Sequence, residues 1–151
     1  MISANKIIEE ISKHRYSLFK TFFPKSKYNF ILKKIKNFKK FETIVIIGMG
    51  GSILGSKAIY SFLKHKINKK FVFIDNLDQG HLKKIKKENN LNRVLFLIIS
   101  KSGNTTETII NSSFFSSFLK TKNTIVISED KDNALRNFAK KKDIYFVRHH
   151  P

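Results

Sequence analysis

At 151 residues and 41% apolar content, the chain can bury one core, and no apolar run approaches the roughly 18 residues of a membrane span. It contains no cysteine, which excludes disulfides and thiolate metal sites and points to a reducing compartment, the cytoplasm. The net charge of +19 is nearly all lysine in short scattered clusters, and arginine stands only at Arg15, Arg93, Arg136 and Arg148. Groove readout of nucleic acid favours arginine, so a lysine-rich solvated surface is expected rather than a nucleic-acid partner.

In chain order, Met1 to Glu10 show neither the basic nor the apolar region of a secretory signal. Residues 3–23 read as an amphipathic helix, with Ser3 as N-cap, Ile7, Ile8, Ile11, Leu18, Phe19, Phe22 and Phe23 at helical spacing, and Pro24 as its stop. Residues 27–40 read as a second helix with Ile31, Ile35 and Phe38 on one face. From Thr43 the pattern changes. Strands at 43–47, 71–74, 93–99, 124–128 and 144–147 alternate with helices at 53–66, 79–88, 105–120 and 131–141. Alternation of this length predicts βαβ units, hence a five-stranded parallel sheet with helices on both faces, preceded by an N-terminal helical arm over 1–42. Ile59, Phe62 and Leu63 in one helix, and Ile109, Ile110, Phe114, Phe115, Phe118 and Leu119 in another, read as core-facing.

Two turns hold the chemistry. Gly48-Met-Gly-Gly-Ser-Ile-Leu-Gly55 follows the first strand, and Ser100-Lys-Ser-Gly-Asn-Thr-Thr-Glu-Thr108 follows the third. A strand turning through glycines into a helix aims backbone N–H groups and the positive helix end at one point, a ready anion site. In a flavodoxin-like strand order 2-1-3-4-5, these two turns meet across the crevice where the order reverses. Gly50 and Gly51 allow positive φ and close approach of a ligand, and Ser52 caps the next helix or offers its hydroxyl. Ser100, Ser102 and Thr105 offer hydroxyls to a phosphate, and Lys101 can add charge. Asn104 and Glu107 have capping-box spacing, so Glu107 reads first as a helix-start residue. Two alternatives stand at this point. The glycines can be a tight turn and no more. They can also be a degenerate dinucleotide fingerprint, with Ile53 at its third glycine position and Asp75 as the ribose acid. No Gly-Lys-Ser/Thr follows, so a Walker loop is excluded.

At these turns the chain resembles a sugar isomerase (SIS) domain, and more narrowly the first half of the glucose-6-phosphate isomerase family. Gly48 to Gly55 matches that family's first signature, Ser100 to Glu107 its second, and Asn76-Leu-Asp78 a further segment. The resemblance implies a SIS domain over 43–151 and a sugar-phosphate site lined by Gly51, Ser52, Ser100, Lys101, Ser102 and Thr105. It implies glucose 6-phosphate or fructose 6-phosphate as ligand, aldose–ketose isomerisation in glycolysis and gluconeogenesis, and no metal or organic cofactor.

The family's Gly-Gly-Arg segment, catalytic glutamate, ring-opening histidine and second SIS domain have no match before Pro151, so catalytic residues are not assigned and the chain reads as an N-terminal piece. Isomerisation needs a positioned base with a tuned pKa, and neither turn offers an obvious one. His81 reads as a surface residue and His149 and His150 as a frayed tail; five histidines without paired spacing make no metal site. Unpaired strand edges and an uncovered sheet face predict a homodimer, or docking of the missing half. The alternatives within the resemblance are a non-enzymatic SIS sensor of sugar phosphates and a SIS isomerase for another sugar phosphate.

Overall fold

Five short runs rich in Ile, Val and Phe form one parallel sheet: β1 (Thr43–Ile47), β2 (Lys70–Ile74), β3 (Val94–Ile99), β4 (Thr124–Glu129) and β5 (Tyr145–His149). Its order is β2-β1-β3-β4-β5, the flavodoxin-like order in which the two turns share one crevice. The computed structural model describes residues 32–149, which lie in one compact unit. The expected helix at 3–23, and residues 27–31 of the next, lie outside the described residues. The registers pair Ile47 with both Ile74 and Ile98, so the ends of β1, β2 and β3 lie level and their following turns share one edge.

The helices are α1 (Leu32–Lys36), α2 (Gly51–Leu63), α3 (Gln79–Glu88), α4 (Thr106–Phe114) and α5 (Ala134–Lys141). Alternate residues of each strand point to opposite faces. On one face Val45, Ile47, Phe96, Ile98 and Val126 pack with Leu82 and Ile85 of α3, Leu135 and Ala139 of α5, and Phe115 and Leu119 beyond α4. On the other, Phe41 is buried with Leu95, Ile125 and Val147, and Phe38 stacks on Tyr145. There α2 lays Tyr60 on Phe71 and Phe73 of β2.

Two core expectations change. In α2 the buried residue is Ile53, and Tyr60 lies two turns further on the same side. That rotation turns Ile59 and Phe62 outward, and Phe62 is 79% exposed. In α4 and the turn after it, Phe115 and Leu119 are buried and Ile109, Phe114 and Phe118 pack against the core as expected, but Ile110 is exposed and the fully buried residues within the helix are Thr108, Asn111 and Ser112. Small polar residues let this helix approach the β2–α3 turn closely: the Asn111 side-chain Nδ2 donates to the Asn76 carbonyl at 3.0 Å. Apolar periodicity could not register a buried face made of Thr, Asn and Ser.

Helix α4 also stops earlier than the expected residue 120. Phe115 closes it, and the Lys120 amide is taken by Asn123 Oδ1 at 2.9 Å and Thr124 Oγ1 at 3.2 Å. Helix α5 begins at Ala134 rather than 131 because Asn133 caps it, accepting from the Arg136 amide at 2.9 Å.

Candidate functional site

The turn after β1 is shaped by two glycines in different ways. Gly48 passes so close to β3 that a Cβ there would lie 2.9 Å from the Ile99 carbonyl oxygen. Gly50 takes φ 51°, a conformation that favours glycine, and stands at the N-cap of α2. Gly51 has no positive φ; it is the first helical residue and faces open space. Ser52 therefore lies inside the first turn of α2 and is not its cap.

The turn after β3 is tied down more heavily. The β3–β4 ladder runs past the strand end, with the Ser100 amide donating to Ile127 O at 3.0 Å and the Glu129 amide to Lys101 O at 2.9 Å. Ser100 is 1% exposed; its Oγ lies 2.9 Å from Thr105 Oγ1 and accepts from the Gly103 amide at 3.1 Å. Ser102 is exposed and its Oγ accepts from the Asn104 amide at 3.2 Å. Thr105, half-buried, is the N-cap of α4.

The capping-box expectation fails at Asn104. Its Oδ1 accepts instead from the Ala134 amide at 2.9 Å, capping α5 thirty residues away. Beside it, the Leu135 amide donates to Gly103 O at 3.1 Å, and Gly103 takes φ 71° against the Asn133 side chain. The start of α5 thus buttresses the hydroxyl turn. The expected helix at 131–141 enclosed Asn133, although an asparagine before an apolar-periodic run signals a cap; its contact with Gly103 has no signal along the chain.

Between the two turns lies an open cleft of about 480 Å³ lined by Gly51, Ser52, Ile99, Lys101, Ile127 and His149. Of the six residues singled out from sequence, it brings Gly51, Ser52 and Lys101 together. Ser100, Ser102 and Thr105 sit in the adjoining turn, with Ser100 facing inward. His149 is not on a frayed tail: it ends β5, in register with Glu129. His81 is half-buried in the first turn of α3, its amide bonded to Asp78 Oδ1 at 3.0 Å.

The larger opening, about 610 Å³, lies at the opposite edge of the sheet among Lys40, Lys70, Glu88, Arg93 and Lys122. The carboxyl edge is the stronger candidate despite its smaller volume. There the βα turns and helix N-termini converge where the strand order reverses. Charge near the site is partly paired: Lys57 bonds Asp75, Lys131 bonds Glu129 at 3.1 Å, and Arg136 bonds Asp130. The Arg136 hydrogen bond holds the Asp130 carboxyl below the usual carboxylate range, with the Arg136 and Arg148 charges acting the same way and desolvation opposing.

Comparison with known proteins matches residues 25–141 to the phosphoglucose isomerase family. The chain belongs to the phosphoglucose isomerase family. Among its relatives it is 36% identical over 121 residues to the glucose-6-phosphate isomerase of Borrelia garinii subsp. bavariensis, covering 76% of this chain and 21% of that protein. It is 46% identical over 84 residues to that of Methanocaldococcus jannaschii, covering 56% of this chain and 21% of that protein. A solved glucose-6-phosphate isomerase from Chlamydia trachomatis superposes with a TM-score of 0.63 at 28% identity, over 76% of this chain and 23% of that one. The chain therefore spans about a fifth of the length of these relatives. Membership of the phosphoglucose isomerase family displaces the dinucleotide reading, and Asp75, its ribose acid, is occupied by Lys57. Among the described residues no helix is long and apolar enough to cross a membrane.

Proposed function

We propose that this chain is the sugar-phosphate-binding N-terminal part of a glucose-6-phosphate isomerase. It would hold glucose 6-phosphate or fructose 6-phosphate between the 48–55 and 100–108 turns. The reading is carried by the meeting of Gly51, Ser52 and Lys101 in one cleft at the crevice between β1 and β3. In this reading Ser102 and Thr105, with Ser100 behind them, take the phosphate at the start of α4. Lys101 supplies charge, and Gly51 and Ser52 line the sugar side. A helix N-terminus and hydroxyl donors suit a phosphate without demanding tight binding.

The reaction assigned to the complete enzyme is aldose–ketose isomerisation in glycolysis and gluconeogenesis, in the cytoplasm, with the arm at 1–42 and the SIS domain at 43–151. The chain alone would turn over little, because the proton transfer needs a positioned base supplied by the rest of such an enzyme. Self-association, or docking of a second SIS domain, is supported by Leu54, Ile59 and Phe62, exposed apolar residues on α2. No membrane or nucleic-acid partner is assigned.

Titration calorimetry of the purified chain tests this. Glucose 6-phosphate is expected to bind with a Kd of roughly micromolar to millimolar size, glucose not to bind, and a coupled isomerase assay to give little turnover. Equal binding of glucose, or none of either, overturns the site; robust turnover overturns the assignment of the base elsewhere.

A further inference from the structure

The cleft has a wall that neither turn supplies. Its floor is apolar, Ile99 and Ile127, which are register partners on β3 and β4. One step towards the carboxyl edge stand three ionisable groups, Lys101, Glu129 and His149. Lys101 and Glu129 are joined by the Glu129 amide to Lys101 O bond, and Glu129 and His149 are register partners. Paired residues in a parallel sheet point to the same face. Lys101, in the bend after β3, and His149, at the end of β5, both line the cleft with Gly51 and Ser52.

We propose that His149 contacts the ligand and, when protonated, contributes a second positive group for an anionic sugar ester. This rests on the binding reading above and adds to it a titratable residue from the fifth strand. The charges facing His149 are balanced for such a role. From β4 comes Glu129, half-buried and already paired with Lys131 at 3.1 Å. From the β3–α4 turn comes Lys101. Arg148 precedes His149 on β5, and Asp130, next to Glu129, is bonded by Arg136. The first turn of α2, Gly51 to Leu54, brings no charged group. Histidine is the side chain whose charge ordinarily changes between pH 5 and 8. Protonation then gives the cleft a second cationic group beside Lys101, above an apolar floor suited to the carbon face of a sugar.

A phosphate ester itself loses charge on acidification, so the probe must have a fixed charge. Glucose 6-sulfate, titrated calorimetrically into the whole 151-residue chain at pH 5.5 and pH 8, is expected to bind about five- to tenfold more tightly at the lower pH, the size of one partly solvated charge pair. His149→Gln should remove that difference and H81Q should keep it. H149K should give tight binding at both values. In the unaltered chain, the His149 ring resonances should move on adding the probe, more than those of His65. Static His149 resonances, or a pH difference that persists in H149Q, overturn the proposal. If H149Q does not fold, the ring resonances of the unaltered chain decide alone. Absence of binding by both glucose 6-phosphate and glucose 6-sulfate at either pH fails the binding reading itself. Binding without dependence on His149 fails only this inference.

Discussion

Gly103 lies so close to Asn133 that a Cβ on the glycine would sit 1.9 Å from the asparagine Oδ1. Two demands meet at this contact. The hydroxyl turn needs φ 71° at residue 103, and Asn133 needs its Oδ1 at that spot to cap α5 through the Arg136 amide. The phosphate-side turn and the start of α5 are therefore one piece of structure.

Replacing Gly103 by Ala adds left-handed strain and a clash with a buried cap, and is expected to cost about 2–5 kcal/mol. Asn133→Ala removes the clashing atoms but loses the cap, costing about 1 kcal/mol. The double variant should be less destabilised than the sum of the two. Urea unfolding midpoints for the four proteins measure this; strict additivity would show that the contact is not shared.

Gly48, before α2, and Gly51, its first residue, should behave oppositely. Gly48→Ala pushes a Cβ against the Ile99 carbonyl, a backbone atom that cannot move without separating β1 from β3. We expect about 1–3 kcal/mol lost stability and more than tenfold weaker glucose 6-phosphate binding. Gly51→Ala meets open space in a helical position and should raise stability by about 0.5–1 kcal/mol. If a ligand approaches that backbone, the same change weakens its binding, and calorimetry beside thermal melting separates the two effects.

The hydroxyls of the second turn divide by burial. Ser100→Ala removes the partner of Thr105 Oγ1 and one of two acceptors of the Gly103 amide, which keeps Ser100 O at 3.2 Å, and should cost about 1–2 kcal/mol. Ser102→Ala and Lys101→Ala alter exposed groups and should leave the melting temperature within the error of surface substitutions. Their effect is expected in glucose 6-phosphate affinity, at about fivefold or more. A melting temperature lowered as much by S102A as by S100A would contradict this division.

Asp130 and Arg136 provide a pH dependence of known sign. Because Arg136 holds the folded-state carboxyl low, the pair stabilises the fold above the ordinary carboxylate range and loses that contribution as pH falls through the lowered value. The unaltered chain should therefore exceed Asp130→Asn in stability at neutral pH, and the gap should close as pH falls through that lowered value. The carboxylate is exposed, so added salt should shrink the gap at neutral pH. Denaturant midpoints across pH and salt give the answer; a gap that widens on acidification would reverse the assigned sign.

Most of the architecture was legible along the chain because its signals are local. Runs such as Val94–Ile99 can only be buried strands, the helices between them have the length of crossovers, and the right-handed rule then limits the strand order. The two turns stood out because Gly50 and Gly103 need backbone freedom, which composition shows directly. Which way each helix faces was less legible. The apolar stripe through Ile59 and Phe62 points outward, whereas the buried stripe of α4 is Thr108, Asn111 and Ser112. Periodicity reports where apolar side chains recur, and it is silent where a close helix approach is secured by small polar ones.

Residue types and spacing thus determined the strand–turn–helix units and put glycines and hydroxyls at the edge where ligands bind. Only the tertiary structure decided which of those groups share a cleft. It moved Asn104 from the start of its own helix to the start of α5, turned Ser100 inward, and brought His149 from the end of β5 to face Lys101. The Asn104 and His149 placements depend on residues thirty or more positions apart, set beside one another by sheet register and helix packing, and no local preference of the chain encodes such a distance.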